Sequence, residues 1–248
     1  MTPKLICDTN FYYNPWNEAL EECNLKPTPT LGNCGELLLH QKSSENNRSA
    51  RNELKIYIDQ LINELPYDRI RNFFRIHNLS CSVPQIDNDR IVDIFRNQLD
   101  YSFDPVALRK VKKEHLRSLE VNGSTVRQLL KNYDTRGKSE EVINYDATML
   151  FFYLYLKEDV LSQEIYLAFI SNFKIFVSVW CSKLRSMITN PREKLKPNDF
   201  YDIMQFLYLN EGDYFITGEK RIQGYVNQTN SIELLTGPHN LTLYQVRG

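Results

Sequence analysis

A chain of 248 residues with 42% hydrophobic side chains is long enough to bury one large α/β core, alone or beside a smaller helical unit. Its 30 basic and 31 acidic residues leave a net charge of -1, which excludes a disordered or fibrous composition and selects no partner. Cys7, Cys23, Cys34, Cys81 and Cys181 are odd in number and form no C-x-x-C pair, which argues against structural zinc and a disulfide framework. Residues 1–7 lack the apolar core of a signal peptide. The most apolar run, residues 149–156, falls far short of the roughly 20 residues of a membrane span. These features lead to the expectation of a cytoplasmic protein with reduced thiols and no membrane partner.

Residues 4–7 are a short apolar run ending in Asp8, Thr9 and Asn10, which predicts a buried strand with polar groups at its C-terminal end. Pro27, Pro29 and Gly32 rule out a long regular element over residues 24–33, and a helical pattern begins at Glu36. Residues 41–52 are polar and read as a loop or boundary. Helical periodicity dominates from residue 53 to about 187. Leu54, Ile58, Leu61, Ile62 and Leu65 mark one stripe, and Ile91, Ile94, Phe95 and Leu99 another. Residues 165–180 are apolar enough for one largely buried helix.

A further helix is predicted from near Asp199, with Asn198 as its N-cap and Gly212 at its end. Residues 213–217 then read as a second strand, residues 218–222 as a turn into a helix, and residues 241–246 as an edge strand. The economical arrangement is an α/β domain built from residues 1–45 and 190–248, with residues 46–189 as a helical insertion.

Hydrolysis of a phosphodiester needs a nucleophile at an anionic centre and departure of an alkoxide, and divalent ions relieve both problems. Magnesium and manganese take oxygen ligands, so their sites gather Asp and Glu from distant parts of a sequence. In open α/β sheets such sites lie beyond the C-terminal ends of the strands. Asp8 and Glu219 both follow candidate strands. Each acid also has an ordinary explanation. Asp8 suits an Asx-turn, Glu36, Asp199 and Asp202 suit the first turns of helices, and Glu219 suits a solvated place beside Lys220 and Arg221.

Order and context add to this. Leu5-Ile6-Cys7-Asp8-Thr9-Asn10 resembles the opening strand of PIN domains, where an apolar run ends in Asp-Thr-Asn. The stretch from Asp202 to Thr217-Gly218-Glu219 resembles their late signature: an Asp on a helix, a Gly-containing turn, an apolar strand, then Thr, any residue and an acid. Glu36 ahead of Leu37 and Leu38 looks like the family's acidic position on an early helix. The resemblance covers residues 1–42 and 197–248.

It implies a three-layer α/β/α PIN-like fold with a central parallel sheet and an inserted all-helical region. It also implies a nuclease dependent on Mg²⁺ or Mn²⁺ that hydrolyses RNA, ahead of DNA. Carried over residue by residue, Asp8, Glu36 and Asp202 are the catalytic metal ligands. Glu219 takes the last acidic position, where the family more often has Asp. Asn10 and Thr217 position ligands or water, and Asp199, one turn before Asp202, is a reserve ligand. A second reading is a PIN-like module without catalysis whose helical insertion docks a protein partner or inhibitor.

Arg109, Lys112 and Lys113 belong to the densest basic run and, with Lys220 and Arg221, are candidate nucleic-acid contacts; a solvated helix face is the ordinary alternative. Arg69, Arg71 and Arg75 interleave with Phe73 and Phe74, which suits either base stacking or core packing.

Overall fold

The computed structural model describes residues 3–13, 20, 25–39, 45–80, 88–97, 105–155, 162–190, 192–226, 232–235 and 242–246. The apolar runs at the two ends of the chain meet in one sheet. β1 (Leu5–Cys7) lies between β2 (Pro27–Thr28) and β3 (Tyr214–Thr217), parallel to both, with Leu5 opposite Pro27 and Tyr214. β5 (Thr242–Val246) runs antiparallel to β3, and β4 (Ile232–Leu235) antiparallel to β5. The order β2-β1-β3-β5-β4 makes the sheet mixed. The expected parallel centre is present, but the strand expected at the edge is covered by β4.

Alternation along the strands sends successive side chains to opposite faces. On one face Leu5, Cys7, Ile216 and Leu243 join a cluster with α1 (Thr9–Tyr13), α2 (Leu31–Leu39), α3 (Glu45–Ile56) and α5 (Asn88–Asn97). On the other, Ile6, Phe215, Tyr244 and Val246 join a cluster fed by α4 (Pro66–Ile76), α6 (Pro105–Lys131), α7 (Glu140–Tyr155) and α8 (Gln163–Asn172). The same cluster takes residues from α9 (Lys174–Thr189), α10 (Pro197–Met204) and α11 (Lys220–Val226). Helices therefore cover both faces of a mixed α/β architecture. Those between residues 46 and 189 contribute to both clusters.

Four local readings change. Residues 45–52 are helical where a loop was expected, forming the first part of α3, whose buried positions are Asn47, Ala50, Arg51 and Leu54. Two of those are polar, and both serve the end of α2: Asn47 Nδ2 donates to the Leu37 carbonyl at 3.3 Å and Arg51 Nη2 donates to it at 3.1 Å. The stripe from Leu54 to Leu65 is not one helix, since α3 stops at Ile56 and Pro66 opens α4. Between them Leu31 N donates to the Ile62 carbonyl at 3.1 Å and Ile62 N to the Pro29 carbonyl at 2.9 Å, so the chain is spent on bridging to residues 29–31.

Residues 165–180 are split between α8 and α9, which meet at Phe173 with a bend of 101°. Phe173 is buried against Phe73 and Phe169, so packing rather than a Gly or Pro sets the break. Last, the N-cap of α10 is Lys196, not Asn198; Asp199 Oδ2 accepts from Lys196 N at 2.7 Å. That helix ends at Met204 and passes into a 3-10 turn, Gln205–Tyr208, while Gly212, with φ of 85°, turns the chain into β3. Leu99 lies outside the described residues. No single described helix is long and apolar enough to cross a membrane.

One close approach bears on the placement of α10. A Cβ at Gly123 in α6 would stand 2.3 Å from the Leu195 carbonyl oxygen, so only glycine lets that helix meet the segment leading into α10.

Candidate functional site

β1 delivers Asp8 to the C-terminal end of the parallel strands, where its backbone N–H donates to the Ile216 carbonyl of β3 at 2.9 Å. The carboxylate is nearly sealed, at 4% exposure. Thr217, the last residue of β3, donates its hydroxyl to Asp8 Oδ2 at 2.8 Å and accepts from Glu219 N at 3.0 Å. Asn10 Nδ2 donates to Glu219 Oε1 at 2.8 Å and lies 3.5 Å from Asp8 Oδ2. Thus Asn10 and Thr217 tie the two strand-end acids together.

Glu36 arrives from the middle of α2 rather than its first turn and is exposed. Its Oε2 accepts from Thr9 Oγ1 at 2.5 Å, and Thr9 in turn accepts from Asn33 Nδ2 at 3.1 Å. Asn33 also donates to the Cys7 carbonyl at 3.0 Å, which fixes α2 against the end of β1.

Asp202 stands in the second turn of α10. Arg221 Nη2 is 2.6 Å from its Oδ2, and Arg221 Nε is 3.4 Å from Asp199 Oδ1. The first contact is an ion pair without hydrogen-bond alignment: Asp202 Oδ2 and Arg221 Nε are buried and find no hydrogen-bond partner among the described residues. Asp199, 2% exposed, is committed on both oxygens, to Lys196 N and to the Tyr225 hydroxyl at 3.2 Å, with Lys183 Nζ at 3.8 Å. Lys183 comes from α9, is 3% exposed, and also pairs with Glu193.

Charge repulsion links the acids. Burial pushes the Asp8 carboxyl up from 3.8 to about 6, against the Thr217 hydrogen bond, with Glu36 and Glu219 adding to the rise. Asp202 is pushed to about 7 by burial, offset in part by Arg221 and reinforced by Asp8, Asp199 and Glu219. A polar neighbour that sequence reading missed, Gln205, helps to hold the Asp8 carboxyl down against burial, while its own Oε1 is buried without a partner among the described residues. Its place three residues after Asp202 was the available signal. Thr9 was passed over although it stands between Asp8 and Asn10 in the opening motif, and Asn33 and Lys183, which belong to no motif, were missed as well.

The donor chemistry fits a hard divalent ion: all candidate ligands are oxygens, and Asp202 Oδ2 and Gln205 Oε1 are buried without hydrogen bonds. As the side chains stand, no three His, Cys, Asp or Glu residues among those described are gathered closely enough to hold an ion. The acids form two neighbouring groups instead, Asp8 with Glu219 at the strand ends and Asp202 with Asp199 around Arg221.

Among the basic candidates, Lys220 and Lys113 are exposed, and Arg109 and Lys112 lie in α6 with side chains outside the described set. Phe73 and Phe74 are core residues, at 6% and 0% exposure, and Arg71 pairs with Asp68 at 2.6 Å. Comparison of this chain with protein-family models, with curated proteins and with solved structures gave no match.

Proposed function

We propose that the chain is a PIN-like metal-dependent nuclease of the cytoplasm that hydrolyses RNA, ahead of DNA. The observation that supports this reading is that acids from four separate segments act on one another's charge: burial raises the Asp8 carboxyl with Glu36 and Glu219 adding to the rise, and burial raises that of Asp202 with Asp8 and Glu219 adding to it. Buried carboxylates that repel one another favour a cation between them. Asp8, Asp202 and Glu36 would hold Mg²⁺ or Mn²⁺, with Glu219 assisting; when bound, the ion supplies positive charge to an attacking water and to the leaving oxygen. Thr217 and Asn10 keep the Asp8 and Glu219 carboxylates in register, and Thr9 does the same for Glu36. Lys220, exposed beside Glu219, would contact phosphate.

The test is cleavage of labelled single-stranded RNA and DNA with Mn²⁺, comparing the wild type with Asp8→Asn and Asp202→Asn. Loss of at least about a hundredfold in each variant is expected from removal of an ion ligand. Cleavage that survives both substitutions, or that never occurs with either substrate, rejects the reading.

A second reading is favoured by one observation, the Arg221 guanidinium standing on Asp202. A cluster that carries its own cation suits a PIN-like module that binds a partner without cutting. Absence of cleavage together with stable capture of RNA would select it.

A further inference from the structure

Among the described residues, Arg221 is the one side chain that pairs with both acids of α10. It is the second residue of α11, its side chain is 36% exposed, and it reaches inward between Asp202, at 2.6 Å, and Asp199, at 3.4 Å. The two contacts differ in kind. Asp199 is already saturated by Lys196 N, the Tyr225 hydroxyl and Lys183, so it gains little more from Arg221. Asp202 has no other basic partner among the described residues, and its pairing with Arg221 lacks hydrogen-bond alignment. Misaligned ion pairs forgo the directional part of a charge-assisted bond, so the guanidinium on Asp202 is exchangeable. A divalent ion on the same oxygen would face a positive group a few ångströms away, and both cannot stay.

We propose that Arg221 is the resident counter-ion of the cluster and a selectivity residue for cations, leaving Asp202 for solvent when a divalent ion takes its place. This rests on the cation-binding reading above and assigns to Arg221 a role distinct from phosphate contact. Monovalent ions do not displace it, because their charge gives no advantage over the guanidinium. A divalent ion does, at the cost of the Arg221 pairing, so affinity is weakened by that coupling.

The test is Mn²⁺ binding to the full chain by titration calorimetry, for the wild type, Arg221→Gln and Arg221→Lys. Arg221→Gln is expected to bind Mn²⁺ about tenfold tighter or more, and Arg221→Lys, which keeps the charge, to stay near the wild type. Tightened binding in Arg221→Gln sustains the proposal, and where the wild type cuts neither RNA nor DNA the nuclease reading alone falls. Unchanged binding in a protein that does cut overturns the proposal and leaves the nuclease reading standing. Absence of Mn²⁺ binding in every variant overturns the proposal. Should Arg221→Gln fail to fold, the wild type suffices: the Arg221 Nε–H resonance, assigned from its absence in Arg221→Lys, is expected to move on Mg²⁺ addition, and an unmoved resonance overturns the proposal.

Discussion

Around Phe169 the buried surface is all complementary. Phe73, Phe152 and Phe173 lie against its ring with centroids at 5.3, 4.7 and 4.9 Å, and Phe74, Phe151 and Phe176 complete the shell. Trp180 closes that region with its indole N–H donating to the Ala147 carbonyl at 2.7 Å. At the ends of β1 and β3 the buried surface is instead negative and imperfectly compensated, with Asp8 and Asp202 carrying raised pKa values. The first region holds the molecule together; the second works against its own stability. Such a split is what a site kept for binding produces, since groups arranged for a ligand are strained without it.

The comparison breaks most sharply at Phe169. Phe169→Ala is expected to lose about 3–5 kcal/mol in urea denaturation, through lost burial and the cavity left behind. Asp8→Asn should do the reverse. At pH 8 it is expected to stabilise the metal-free chain by up to about 3 kcal/mol, the equivalent of a carboxyl displaced from 3.8 to about 6, while abolishing cleavage. A loss of stability in Asp8→Asn would show that the two regions do not differ in the way described.

The same contrast has a pH signature. Asp8 and Asp202 bind protons more tightly folded than unfolded, so their contribution is fully favourable below about pH 4 and is lost as pH rises through about 6 and 7. The melting temperature in chelator should therefore fall between pH 4 and pH 7. Asp8→Asn should flatten the curve, and Mn²⁺ should restore stability at the upper end. A smaller effect is expected at the support of α2. Arg51→Met removes hydrogen bonds to the Leu37 carbonyl one residue beyond Glu36 and should cost about 1–3 kcal/mol by denaturation. Smallest of all is Lys113→Gln, which lies on an exposed helix face and should leave RNA affinity unchanged in a filter-binding assay.

What the sequence revealed of the site was what lies close along the chain. Asp8 to Asn10 and Thr217 to Glu219 each occupy one strand end, and their neighbours in sequence are their neighbours in space. The pairing of Asp202 with Arg221 and of Asp199 with Lys183 depends on how α9, α10 and α11 pack, which no local spacing encodes. The fold shows the same division. The apolar runs of β1 and β3 were legible as strands, whereas α3 was concealed because its buried stripe includes Asn47 and Arg51, polar residues that hydrogen-bond the end of α2. The break at Phe173 lacks a Gly or Pro and is set by aromatic packing alone.

Gly123 gives the helical half a lever on the acids that no charge supplies. The Leu195 carbonyl occupies the space a methyl group would need, and Leu195 stands only four residues ahead of Asp199. The thickness of one residue on α6 therefore sets how far α10 sits from the strand ends. A single carbon added there would act as a shim, lifting Asp202 off its neighbours while leaving every acid in the sequence intact.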